Sequence, residues 1–431
     1  VGGAAGRVLT SEEFEHRLID FQLDGHYRMR ASARPGVSLY PALADDERGA
    51  YHQERLKIAA QKCTDPIEPH SVYLQAYGGL SATDSQLALH EELRRTHPGL
   101  TLHWGVIDSS AWVPPGGVPL LINSREWYRV LSTAAYLCTN LDLPRWFRKR
   151  PGQQVLQTFH GYPSKAMGIG MWRAKNHSPL RIEAELARTS RDWDLILTPS
   201  PEMDRYYREE YRYDGPIHSH GYPRDDVLVS ADADRIREET RARLGIRPGQ
   251  VAVLYAPTWR DDMAAGWRRA SMVSHLDLEA ARRALGDDYV FLLRGHRFHI
   301  RAAGRTSEAG RAVDVTDYPE INDLILAADV AVLDYSSLRF DFSLTGRPMV
   351  FLVPDLADYA GGVRGFLYDF AESAPGPLLD TTDQVVAALR DLDRVRADHA
   401  DAYAAFHARF NACMDGTSAR RVVEAFFGDG A

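Results

Sequence analysis

The sequence predicts an α/β chain of two lobes of similar size. Three observations carry this prediction. Short apolar runs of strand length alternate with helical stretches from Ser71 onward. The same rhythm starts again after Gly221-Tyr222-Pro223. The strands read as short and buried and stand between helices, an order that implies a mostly parallel sheet in each half.

Residues 1–69 are a charged lead-in expected to pack against the first lobe, with helical stretches near Ser11–Leu23 and Asp46–Lys62. The first Rossmann-like lobe takes residues 70–215. Its strands are expected at Ser71–Tyr77, Leu102–Ile107, Pro119–Ile122, Ala135–Thr139, Gln154–Phe159 and Trp193–Thr198. Asp84–Arg95 has helical spacing, with Leu87, Leu89 and Leu93 on or near one stripe. Arg125–Thr133 is a second helix, and a third is capped at Ser200-Pro201. The second Rossmann-like lobe takes residues 216–400. Its strands are expected at Val251–Ala256, Tyr289–Arg294, Ala312–Val315, Asp329–Asp334 and Pro348–Val353, with helices near Asp232–Leu244, Leu276–Leu285 and Ile321–Ala328. A mainly helical stretch from Thr382 ends in a tail over residues 401–431. Two lobes of this kind imply one site in a cleft between them, because ligands of such sheets lie at the carboxyl ends of the strands.

Composition narrows the function classes. The 431 residues are 45% hydrophobic and 26% charged, an ordinary soluble balance with room for two cores. Lys plus Arg is 51 and Asp plus Glu is 59, a net charge of −8 that argues against nucleic-acid binding. Cys63, Cys138 and Cys413 are far apart with no CxxC pair, which fits a reducing compartment and gives no zinc site. No run of 18 apolar residues appears, and the chain opens on Val1 without a signal-peptide core, as a piece cut from a longer protein would.

The polar residues that follow the strands form a consistent set. In the first lobe, Gln154–Phe159 delivers His160-Gly161, with Lys165 just beyond. In the second, the strand ends deliver Thr258-Trp259-Arg260, then Arg294 and His296, then Asp334-Tyr335-Ser336-Ser337. Their histidines, arginines, hydroxyls and free backbone N–H groups are donors suited to an anion. Ser336-Ser337 reads either as a plain helix N-cap or as a phosphate seat at a helix start, and the companion motifs favour the seat. His160 reads as a general base for a hydroxyl nucleophile or as a structural histidine. Lys165, with Arg173 and Lys175, lines the acceptor side of the expected cleft. His296 and His299 have an HxxH spacing, but no carboxylate or cysteine lies nearby, so no metal site is expected. Gly168-Ile169-Gly170 lacks the third glycine and preceding strand of a dinucleotide fingerprint. No phosphate-loop or GxSxG motif is present. Leu143–Arg150 packs four cations beside two aromatic residues and reads either as a weak contact with an anionic membrane or as a short solvated helix.

Taken together, these motifs resemble the CDP-glycerol glycerophosphotransferase family of teichoic acid primases and polymerases, from about Ser71 to Phe427. Gln157-Thr-Phe-His-Gly161 looks like the family's QTWHG motif, with Phe159 in place of the usual tryptophan. Gly221-Tyr-Pro-Arg-Asp225 is similar to GxPRxD, Tyr255-Ala-Pro-Thr-Trp-Arg260 to APTWR, and Leu293-Arg-Gly-His296 to LRxH. Asn322-Asp-Leu324, Asp334-Tyr-Ser-Ser337 and Phe340-Asp-Phe342 resemble the NDLL, DYSS and FDF block. Arg364-Gly-Phe366 and Asp415-Gly416 with Ala419-Arg420 resemble the RGF loop and the tail motif. Each is short, and their shared order makes the set specific.

The resemblance implies a GT-B fold with acceptor on the first lobe and CDP on the second. It implies a bacterial, cytoplasmic enzyme, peripheral on the inner membrane face and free of metal or cofactor. It would move a polyol phosphate, with glycerol phosphate leading, from a CDP-polyol donor to a polymer or lipid-linked acceptor of teichoic-acid or capsule type, and CMP would leave. His160 is then the base and His296 sits by the pyrophosphate. Arg260, Ser336, Ser337 and Thr258 contact the pyrophosphate, and the loop ending at Asp323 holds the cytidine. The alternatives are CDP-ribitol or another CDP-polyol as donor, or a nucleotide-sugar glycosyltransferase on the same scaffold.

Overall fold

Alternation along the second-half strands assigns each residue to one of two cores. Ala252 and Leu254 face one buried cluster, whereas Val253 and Tyr255 face another on the opposite side of the sheet. Ala331 and Leu333 divide from Val330 and Val332 in the same way. Successive side chains point to opposite faces, so a strand covered on both faces must be apolar throughout. That is the pattern the sequence shows.

The computed structural model describes residues 8–9, 27–31, 37–41, 43–108, 111–258, 275–295, 312–316, 318–361 and 365–428. Three short antiparallel strands, β1 (Val8–Leu9), β2 (Tyr27–Ala31) and β3 (Val37–Pro41), form a small sheet in the lead-in, where no strand was expected. The helix expected near Ser11–Leu23 lies outside the described residues. The second lead-in helix forms at Gly49–Gln61 and packs on the helix Arg125–Thr133, where Tyr128 donates to Gln53 at 2.8 Å.

Contacts divide the described chain into two units. One holds the residues up to His160, Arg191–Leu197 and the end from Ala419; the other holds Gly161–Ser190 and Thr198–Ser418. The first unit carries β4 (Glu68–Gln75), β5 (Thr101–Val106), β6 (Gly117–Leu121), β7 (Ala134–Thr139), β8 (Gln154–Gln157) and β9 (Leu195–Leu197). They run parallel in the order β9-β8-β7-β4-β5-β6. The chain goes outward from β4 through β6 and then returns to the other side of β4. The strand order therefore reverses between β4 and β7. The last helix, Ser418–Phe427, closes this unit with Phe427 against Tyr136 at 4.7 Å.

The second unit carries β10 (Ile217–His218), β11 (Val251–Ala256), β12 (Tyr289–Leu293), β13 (Ala312–Asp314), β14 (Val330–Leu333), β15 (Met349–Leu352) and β16 (Leu378–Leu379). Its sheet is parallel in the order β13-β12-β11-β14-β15-β16 and reverses between β11 and β14. Helices Thr382–Arg390, Leu392–Asp398 and Ala400–Phe410 follow, as expected of the tail.

Helices Gly168–Ala174 and Pro179–Asp192 were not expected. The first explains Gly168-Ile169-Gly170 without a nucleotide. Gly168 has φ 46°, and a Cβ there would lie 2.1 Å from the Glu210 carbonyl oxygen. Gly170 N–H donates to Glu210 Oε2 at 2.7 Å. The glycines let this helix approach the helix Pro201–Tyr211 closely.

Candidate functional site

The reversal points β4/β7 and β11/β14 are where sheets of this kind bind ligands. Both are tied by the same device. In the first unit, Tyr77 lies two residues past β4 and Asn140 one past β7, and Tyr77 N–H donates to Asn140 Oδ1 at 2.8 Å. In the second, Thr258 lies two residues past β11 and Asp334 one past β14. Thr258 N–H donates to the Asp334 carboxylate at 2.8 and 3.0 Å, and its hydroxyl donates to Asp334 as well.

His160 sits beside the first tie. Phe159, with φ 54°, turns the chain out of β8, and its N–H donates to Gln157 Oε1 at 2.9 Å. The Phe159 ring packs edge-on against Trp193 at 5.4 Å. The His160 ring is exposed, with Nδ1 3.1 Å from the Asn140 carbonyl oxygen. A carbonyl only accepts, so this contact places the proton on Nδ1 and the lone pair on Nε2. Tyr77 meets the imidazole edge-on at 6.1 Å. This is the tautomer a general base needs.

In the second unit, Gly161 lies close to Ser337: a Cβ at Gly161 would lie 3.3 Å from Ser337 Oγ. Tyr222 donates to the Gly161 carbonyl at 3.3 Å, and Tyr162 stacks on Phe340 at 4.6 Å. Ser336 Oγ accepts from Leu338 N–H at 3.2 Å, a local cap, and Ser337 begins a helix of only six residues, Leu338–Ser343. Lys165 pairs with Phe366 in a β-bridge and carries its Nζ 5.4 Å from the Tyr359 ring, which stacks on Tyr335.

Arg294 Nη1 donates to the Val315 and Tyr318 carbonyls at 2.7 and 2.5 Å. It holds the turn that leads to Asp323. The Asp323 carboxylate accepts from the Tyr318 hydroxyl at 2.9 Å, and burial pushes its pKa above the ordinary value. Arg260 and His296 lie outside the described residues, as do Trp259, His299 and Arg364. Among the described residues no cluster of three or more His, Cys, Asp or Glu is placed to hold a metal.

Several motif residues are scaffold. Asn322 donates to the Arg224 carbonyl at 2.6 Å, and Arg224 pairs with Asp341. These contacts join the turn at Pro223 to two other motifs of the second unit. Asn140 was missed by the sequence reading, although the rule of examining each residue after a strand points to it.

The basic segment before β8 is less open than its composition implies. Lys149 pairs with Asp194 at 2.6 Å, and Arg150 donates to the Ser132 and Asp65 carbonyls. Phe147 is buried and Trp146 packs on Tyr128 at 5.0 Å. Arg145 and Arg148 remain exposed.

Residues 58–428 match the family model described as CDP-glycerol:poly(glycerophosphate) glycerophosphotransferase. The chain is 29% identical over 368 residues to the teichoic acid poly(glycerol phosphate) polymerase of Bacillus subtilis (strain 168), covering 84% of this chain and 49% of that one. It thus spans about half the length of that relative. It is 30% identical to the teichoic acid glycerol-phosphate transferase of Staphylococcus aureus (strain NCTC 8325 / PS 47), over 83% of this chain and 92% of that one. The solved wall teichoic acid polymerase TagF superposes with a TM-score of 0.81 at 27% identity, covering 88% of this chain and 94% of that one. A variant of it has also been solved after a soak with CDPG. The likeness identifies the fold as GT-B type, as expected.

Proposed function

The chain belongs to the CDP-glycerol:poly(glycerophosphate) glycerophosphotransferase family, and from that premise we propose that it transfers glycerol phosphate from CDP-glycerol to a hydroxyl of a teichoic-acid-like polymer. The acceptor oxygen attacks the phosphorus of the glycerol phosphate. The bond from that phosphorus to the CMP oxygen breaks, CMP leaves, and the hydroxyl proton passes to His160 Nε2. Such transfers depend mainly on positioning and on stabilising charge. The observation that carries the reading is the His160 ring itself, exposed at a strand end with Nδ1 on a backbone carbonyl. Ser336 and Ser337 supply donors for the pyrophosphate, whereas Thr258, expected to join them, gives both its N–H and its hydroxyl to Asp334 and holds the turn after β11 instead. Arg260 and His296 join them on the strength of their motifs. The turn from Val315 to Asp323, braced by Arg294, is the cytidine wall, and Gly161 and Lys165 take the acceptor side.

A donor screen tests this. With a glycerol-phosphate primer, CDP-glycerol is expected to release CMP and lengthen the primer. Preferential use of CDP-ribitol would change the polyol, and product from a UDP- or GDP-sugar without CMP would overturn the reading.

We place the reaction on the cytoplasmic face of a membrane, held peripherally through Arg145 and Arg148. Among the described residues no helix is long and apolar enough to cross a membrane. Flotation with anionic vesicles should weaken as salt rises and weaken further in the Arg145→Ala/Arg148→Ala protein. Flotation insensitive to both substitutions would remove this patch from the account.

A further inference from the structure

We infer that Asp84 and Asn140 are positioning residues for His160, an inference that rests on His160 being the base. The Asn140 carbonyl that receives His160 Nδ1 belongs to a residue only 1% exposed and tied at both ends of its side chain. Its Nδ2 donates to Asp84 Oδ2 at 3.0 Å, and its Oδ1 accepts from Tyr77 N–H at 2.8 Å. A carboxylate can only accept and a backbone N–H can only donate, so one orientation of the amide satisfies both. Asp84 is itself buried, at 7% exposure, and its other oxygen accepts from Ser85 N–H at 2.6 Å.

The backbone around this chain of bonds is unusual. Tyr77 (φ 47°), Asp84 (φ 66°) and Phe159 (φ 54°) all lie in the left-handed region, half of the six non-glycine residues that do so among those described. Such conformations persist where the surroundings over-determine them, and they cluster at functional sites. Here they bring a loop, a helix start and a strand end onto one histidine. The buried Asp84 carboxylate fixes the Asn140 amide, which fixes the carbonyl, which fixes the imidazole tautomer and angle.

The test uses the polarity of the pair. Asp84→Asn places an amide against an amide and keeps a residue that tolerates positive φ. Asn140→Asp places a carboxylate against a carboxylate. Each is expected to lower kcat for CMP release by about 10- to 100-fold with donor KM and CDP affinity nearly unchanged, the loss expected when a reacting group is misplaced by about 1 Å. The exchanged pair, Asp84→Asn with Asn140→Asp, restores the donor-to-acceptor match between the two side chains and with Tyr77 N–H, and should bring kcat back to within about threefold of the parent. In a His160→Ala background neither single substitution should lower kcat further. Melting temperatures of all variants are measured alongside. If His160→Ala abolishes turnover but the single variants retain it, or if the exchanged pair is not rescued, the positioning role falls and the base assignment stands. If His160→Ala itself turns over normally, the base assignment has failed first.

Discussion

Replacing His160 with alanine is expected to lower kcat for CMP release by about 100- to 10,000-fold, the range of a positioned general base. Its bond to the Asn140 carbonyl leaves Nε2 as the nitrogen that takes a proton. That proton moves only as the acceptor oxygen attacks, so the lost interaction belongs to the transition state. The donor's ground-state contacts are proposed in the second unit, on Ser336, Ser337, the turn after β11 that Thr258 holds, and the turn to Asp323. CDP affinity by calorimetry should therefore stay within about twofold, and the loss should fall on kcat rather than on donor KM. The ring is exposed and its removal opens no core cavity, so the melting temperature should also hold. Turnover within about tenfold of the parent would move the base elsewhere.

How much of this was legible in the sequence depended on what kind of information each feature carries. The strands were readable because a parallel strand buried on both faces must be apolar throughout, as in Val251–Ala256. Helix Asp84–Thr96 was readable from spacing, and helix Arg125–Thr133 begins at a Ser124 cap that accepts from Trp127 N–H. Residues 160–192 carried no expected element. Gly168 and Gly170 disguise a helix start, and their purpose is visible only when Glu210 is brought against them. His160 was legible as a residue at a strand end. The partners of a long side chain were not: Arg294 reads as an anion donor from its place after β12, and its Nη1 also braces the Val315 and Tyr318 carbonyls. Nor was the basic run before β8, where Lys149 and Arg150 serve internal acceptors. Sequence spacing identifies which residues follow strands, whereas tertiary partners decide which of them are left to meet a ligand.

The second large effect concerns Asp334, and the contrast with Asn140 explains why. Asn140 lies between one donor, Tyr77 N–H, and one acceptor, the Asp84 carboxylate, so an amide matches both. Asp334 faces two donors from Thr258, the N–H and the hydroxyl, so a carboxylate matches both. Asp334→Asn keeps the shape but turns an amide N–H₂ toward one of those donors. Asp334 is 5% exposed, and little water can compensate. Losing a charge-assisted bond and leaving a buried donor unmatched costs about 1.5–3 kcal/mol. The turn after β11 would then lose its tie across the reversal point, and with it the placement of Thr258. If the pyrophosphate sits on this turn, CDP affinity should fall about tenfold or more, at about 1.4 kcal/mol per decade. The donor KM should rise in step, and the melting temperature should drop by a few degrees. Calorimetry of CDP binding beside a thermal melt separates the cases. A lowered melt with unchanged CDP affinity would mean that the Thr258–Asp334 tie serves stability alone and that the donor binds away from it.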